Sequence, residues 1–114
     1  MAKIIWLVNM SAMPPHLEPR LQTIKLAQYL GEKEYDVKIF ASSVMHNMDI
    51  DLIADKSPYI EKSYGNVHFI HIKTLQYGES KIKRIISSMQ FVQRVARYAH
   101  NFPKPDVIIH VPGF

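Results

Sequence analysis

Six histidines and no cysteine define the side chains with which this 114-residue chain could do chemistry. Without a thiol there is no disulfide framework, no thiolate metal ligand and no cysteine nucleophile, and a reducing compartment is the natural setting. The histidines show no spacing typical of a zinc site. His68 and His71 stand three apart in a run that alternates at period two, so they point to opposite faces and cannot chelate one metal ion from that segment. Paired carboxylates for acid–base work are not evident either: Glu32 and Glu34 fall at a helix end, and Asp49, Asp51 and Asp55 belong to an irregular link. Arg20 opens a helix, where a cation meets the unfavourable end of the dipole, so an anion belongs nearby; Glu18 can be that anion. His46 follows a strand with Ser43 beside it, and its plain reading is a surface-loop histidine.

The elements that must position these groups alternate along the chain. Residues 3–9 are a β-branched and aromatic run too short for a stable helix, which predicts a strand buried on both faces. Leu17, Leu21, Ile24, Ala27 and Leu30 recur at three and four, predicting an amphipathic helix that ends around Gly31. Residues 36–41 form a second strand, and the three elements make a βαβ unit. Residues 44–66 read as loop plus a short helical turn, with Ser-Pro and Tyr-Gly-Asn turn signals. Residues 67–72 alternate at period two, predicting a third strand at the edge of the sheet. In residues 80–102 the apolar positions Ile82, Ile85, Ile86, Met89, Val92, Val95, Ala96 and Ala99 form one stripe, expected to be core, with Lys81, Lys83, Arg84, Arg94 and Arg97 largely off it. Pro103 and Pro105 end that helix, and residues 106–111 form a fourth strand.

This order predicts one domain, an open, parallel α/β sheet with helices on both faces and spatial order third, second, first, fourth (3-2-1-4). Ligands of such sheets bind beyond the carboxyl ends of the strands, here residues 9–16, 42–47, 74–77 and 110 onward. The first of these loops carries His16 and no glycine, so it is not built as a dinucleotide phosphate cradle.

Several pieces, in order, resemble the N-terminal half of a GT-B glycosyltransferase of the retaining family 4 type, in its bacterial surface-polysaccharide branch. They are Arg20 with Leu26, Ala27 and Leu30; Tyr35-Asp36-Val37 leading into the second strand; Ser43 with His46 beyond it; Lys73-Thr74 with Tyr77 and Arg84; and Lys104-Pro105-Asp106 before the fourth strand. The resemblance implies a Rossmann-like domain spanning residues 1–114, facing a sugar acceptor that is a polysaccharide or a lipid-linked oligosaccharide. It implies that His16, Arg20, Ser43, His46, Tyr77 and Arg84 bind substrate and that His110 is catalytic, pointing into the cleft between two halves. A C-terminal domain outside this sequence would hold the nucleotide-sugar donor; no cofactor or metal is expected in this half, which alone would be inactive. Where many members carry Gly-Gly in the first loop, this chain has Met13-Pro14-Pro15. Another class of function is a stand-alone flavodoxin-like binding or signalling module, although the acidic cluster of a phospho-acceptor domain and a flavin phosphate loop are both missing.

The net charge of +4 permits anionic partners without selecting one. Nucleic acid comes last, because no aromatic-and-basic motif stands at a recognised spacing. No apolar run approaches the roughly 20 residues that span a bilayer. Any membrane association is therefore expected to be peripheral, on the inner face, and the absence of cysteine makes the cytoplasm the expected setting. Lys81, Lys83 and Arg84 cluster in one turn and can sit on anionic headgroups, although a solvated basic face is the plainer reading.

Overall fold

The structure, a computed structural model, describes residues 3–10, 22–44, 51–53, 55–64, 67–75 and 80–110. It is a mixed α/β fold: β1 (Ile4–Val8), α1 (Gln22–Glu32), β2 (Asp36–Ser42), β3 (Tyr59–Tyr64), β4 (Val67–Ile72), α2 (Lys81–Tyr98), a 3-10 turn (Ala99–Asn101) and β5 (Val107–His110). The five strands form one sheet in the order β3-β4-β2-β1-β5.

The central register is parallel. Ile4 to Val8 face Asp36 to Phe40, Lys38 to Ser42 face His68 to Ile72, and Ile5 to Val8 face Val107 to His110. Asp106 fastens β5 to β1 from both ends of one residue. Its carboxylate accepts from the Ile4 N–H at 2.8 Å, and its own N–H donates to the Ile4 carbonyl at 2.8 Å. The Lys-Pro-Asp lead into this strand thus has a local structural use.

The expectation of an all-parallel sheet ordered 3-2-1-4 is corrected by β3, which pairs antiparallel with β4 from Tyr59↔Ile72 to Tyr64↔Val67. The sheet is mixed, and β4 is an interior strand, not the edge. The physical reason is the composition of YIEKSY. Glu61, Lys62 and Ser63 are polar in succession and all exposed, so the period-two signal of a half-buried strand is erased. Such polarity suits an edge, where it discourages pairing with a further chain. The sequence cue for the hairpin was the Tyr-Gly-Asn turn signal, which falls where Tyr64 pairs with Val67.

Alternate residues of the strands feed two clusters. Ile5, Leu7, Val37, Ile39, Ala41, Val67 and Phe69 cluster with Ile24 and Ala27 of α1. Trp6, Phe40, Ile70 and Ile72 cluster with Phe91 of α2 and with Phe102. The second cluster is aromatic: Trp6 and Phe40 centroids lie 4.6 Å apart, and Phe102 meets Phe40 edge-on at 5.6 Å. α1 stops where Tyr35 N–H donates to the Leu30 carbonyl at 3.2 Å, and the left-handed conformation that reverses the chain falls on Glu34 (φ 68°), not on Gly31.

The expectation that the α2 stripe is core is also corrected. Ile82, Ile85, Ile86, Met89 and Val92 are exposed, while Ser87 and Phe91 are buried, with Val95 and Ala99 partly buried against the aromatic cluster. The inward face is held by polar anchors in place of an aliphatic stripe. Ser87 Oγ donates to Thr74 Oγ1 at 2.8 Å, Gln90 Oε1 accepts from the Leu75 N–H at 2.7 Å, and Arg94 donates to the Lys73 carbonyl.

Candidate functional site: a basic pocket at the carboxyl edge of β4

β4 ends at Ile72, and the next two residues begin the site. Thr74 is buried and its hydroxyl joins Ser42 Oγ at 2.7 Å and Ser87 Oγ at 2.8 Å, tying the ends of β2 and β4 to α2. Ser42 Oγ also accepts from the Val44 N–H at 3.0 Å, so the strand ends are fixed by a chain of hydroxyls. Lys73 Nζ donates to the Ile53 carbonyl at 2.9 Å and lies 3.6 Å from the Asp51 carboxylate. The opposing wall is shaped by two short turns, in which Asp51 accepts from the Ile53 N–H and Asp55 from the Ser57 N–H. The hydrogen bonds from Ser57 lower the pKa of Asp55 from its ordinary value.

Between this wall and α2 lies a cavity of about 590 Å³, lined by Lys56, Lys73, Arg94, Arg97, Tyr98 and Asp51 among others. Among the described residues, four cationic side chains face one carboxylate, and the carboxylate is shared with Lys73. Arg94 is already oriented by the Lys73 carbonyl. The Arg97 guanidinium lies over the Tyr98 ring at 5.6 Å, and Tyr98 in turn packs on Tyr59 at 5.3 Å. This arrangement is chemically suited to hold a phosphate or carboxylate by charge-assisted hydrogen bonds, with an aromatic wall beside it. Among the described residues it holds no pair of carboxylates for acid–base exchange. Among the described residues, no group of three or more His, Asp or Glu could hold a metal ion.

The residues expected from sequence are scattered by comparison. His110 ends β5, exposed, opposite Val8. It is three strand spacings, about 14 Å, from the β4 edge, and it lines none of the basic pocket. Ser43 is fully buried, its N–H donating to the Ile72 carbonyl at 2.8 Å; its Oγ has no partner among the described residues. Arg84 lies in the first turn of α2, half-buried; its N–H donates to the Ser80 carbonyl at 3.0 Å, and its carbonyl accepts from Ser88 Oγ at 2.9 Å. His16, Arg20, His46 and Tyr77 lie outside the described residues.

Sequence reasoning missed Lys56, Lys73, Arg94 and Arg97 as site residues. The signal for Lys73 was present, since it immediately precedes a loop at the carboxyl end of a strand. The arginines stand some twenty residues further on and were read as an outer helix face.

His71 is a buried histidine of another kind. Its Nδ1 lies 3.4 Å from the Ser42 carbonyl, its Nε2 lies 3.3 Å from the Tyr64 hydroxyl, and its ring stacks on Phe69 at 5.0 Å. Burial pushes its pKa down to about 4, so the neutral ring donates from Nδ1 and accepts at Nε2. Burial also raises the pKa of Tyr64, which keeps the phenol a donor. Its partner on the far face, His68, is exposed and meets Ser63 Oγ at 2.8 Å.

Compared with protein-family models, with curated proteins and with solved structures, the chain matches none significantly. Among the described residues, no helix is long and apolar enough to cross a membrane.

Proposed function

We propose that this chain is the acceptor-side, Rossmann-like half of a GT-B glycosyltransferase of the retaining family 4 type, and that its basic pocket receives the anionic group of a sugar acceptor. The observation that carries the reading is the cluster of Lys56, Lys73, Arg94 and Arg97 at the carboxyl edge of β4, the rim where open α/β sheets place ligands. A cavity of about 590 Å³ accommodates a phosphorylated sugar, with the Tyr98 ring as an apolar wall. In this reading the donor nucleotide and the basic groups that stabilise its departing diphosphate belong to a second α/β domain. Sugar transfer then needs both halves, since the charge that develops on the leaving group must meet preorganised cations.

The test is a titration of the chain with a glycosyl diphosphate and, separately, with UDP- and GDP-sugars, followed by amide chemical shifts. The glycosyl diphosphate is expected to perturb Lys73, Leu75 and Arg94. Arg94→Gln and Lys73→Gln are each expected to weaken binding by about tenfold, the scale of one charge-assisted contact. Tight nucleotide-sugar binding that maps to residues 10–16 would place the donor site in this half and overturn the assignment.

A further inference from the structure

We infer that Asp51 is a specificity-determining residue of the basic pocket: it selects a ligand that is anionic at one end and carries free hydroxyls at the other, and disfavours one with a second anionic group. This selectivity rests on the acceptor-pocket reading above and concerns which phosphorylated sugars that pocket would take.

The two walls of the pocket differ in charge. α2 supplies Arg94 and Arg97, and its sequence holds no acidic residue. The facing wall supplies Lys73 and Asp51, whose charged atoms lie 3.6 Å apart and cancel in net charge, together with the exposed Lys56. A carboxylate among cations lowers the affinity of the site for any anion, so its retention calls for a use. The local turn does not supply one. Asp51 Oδ1 accepts from the Ile53 N–H at 3.0 Å, a turn that asparagine makes as well. Neutralising Lys73 does not supply one either, since its Nζ already donates to the Ile53 carbonyl at 2.9 Å.

Hydroxyl recognition is the use that remains. An ionised carboxylate offers about four acceptor sites, and hydrogen bonds to it are roughly twice as strong as those between neutral groups. The Asp51 side chain is 23% exposed, within reach of a ligand in the cavity. The neutral oxygens of Thr74 and Gln90 on the same lining are committed, the first to Ser42 and Ser87 and the second to the Leu75 N–H. A phosphate held by Arg94 and Arg97 therefore leaves sugar hydroxyls to donate to Asp51 across the cavity. A second phosphate reaching that wall would meet a like charge.

The test is calorimetric titration of the full chain and of Asp51→Asn with inorganic pyrophosphate, glucose 1-phosphate and glucose 1,6-bisphosphate. Asparagine keeps the oxygen that makes the Ile53 turn and removes the charge. The wild type is expected to bind glucose 1-phosphate at least as tightly as the bisphosphate, although the bisphosphate carries the greater charge. In Asp51→Asn the order should invert, the ratio of the two affinities changing by about tenfold, the scale of one charge-assisted contact. Pyrophosphate should bind the variant more tightly than the wild type. A wild type that prefers the bisphosphate, or a ratio unchanged by Asp51→Asn, overturns the selectivity and leaves the acceptor pocket standing. Loss of pyrophosphate binding in Asp51→Asn makes the carboxylate a support for the wall and also overturns the selectivity. A wild type that binds none of these ligands removes the acceptor pocket and the selectivity together.

Discussion

Ile24 of α1 is 3% exposed and Ile85 of α2 is 61% exposed, although each stands in a run of apolar residues spaced at three and four. The layer on the α1 side is largely aliphatic, closed by Ile24 and Ala27 and holding the neutral His71. The layer on the α2 side is aromatic and is tied to its helix through Thr74, Gln90 and Arg94. Periodicity in a sequence therefore identifies which face of a helix is apolar. It does not identify what that face meets, because a few directed hydrogen bonds and one large ring can orient a helix against its aliphatic stripe.

The largest effect should come from removing that ring. Phe91 is 4% exposed within the Trp6–Phe40–Phe102 cluster, so Phe91→Ala is expected to destabilise the fold by about 3–5 kcal/mol. A shift of the urea midpoint at constant slope checks it. A mild effect would mean that α2 presents another face to the sheet.

Acid should act next, and on the other layer. The folded His71 titrates near 4, while an unfolded histidine titrates near 6.5. Between those values the unfolded chain binds the extra proton, so stability rises with pH across the window. The contribution is complete above about pH 6.5 and is lost as pH falls toward about 4, a difference of roughly 3 kcal/mol. Carboxylates titrate in part of the same range, so the measurement is the difference in pH dependence between the wild type and His71→Leu. The variant should lose the slope between about pH 6.5 and about pH 5.

The strands were the legible part of this molecule. Residues 3–9, 36–41 and 106–111 read as strands from their apolar runs and residues 67–72 from period-two alternation, and the structure places strands at Ile4–Val8, Asp36–Ser42, Val107–His110 and Val67–Ile72. Tyr59–Tyr64 was illegible because an edge strand with three successive polar residues carries no hydrophobic period. The long helix was legible in extent and misread in orientation, since Thr74, Ser42 and Lys73, which orient it, are distant in sequence. The pocket was half legible for the same reason. Its Lys73 follows a strand and can be placed by a topological rule, whereas Arg94 and Arg97 reach it only through the way α2 packs beside the end of β4.

The hydroxyl chain that sets this orientation offers a smaller, two-part test. Thr74→Val keeps the shape but leaves Ser87 Oγ, in a residue with no exposed surface, without its acceptor. A cost of about 1–3 kcal/mol is expected, the desolvation penalty of an unpaired buried group. Adding Ser87→Ala should restore part of that stability, since removing both partners of a buried bond is far less costly than removing one. A double variant as unstable as the sum of the two singles would show that the bond does not couple the helix to the strand.

The smallest effect is the one that most directly breaks or keeps the contrast between the helices. Ile85 makes little of its surface unavailable to water, and serine differs modestly from isoleucine in helix propensity. Ile85→Ser is therefore expected to change stability by less than about 0.5 kcal/mol, as exposed substitutions do. The same change at Ile24, on the buried stripe of α1, removes a packed side chain and leaves a hydroxyl among Leu7, Ile39 and Val67. Equal losses at the two positions would mean that the outward stripe of α2 is covered within the chain itself. In that event the helix is turned about its axis, Phe91→Ala becomes the mild substitution, and Arg94 and Arg97 no longer line the pocket at β4.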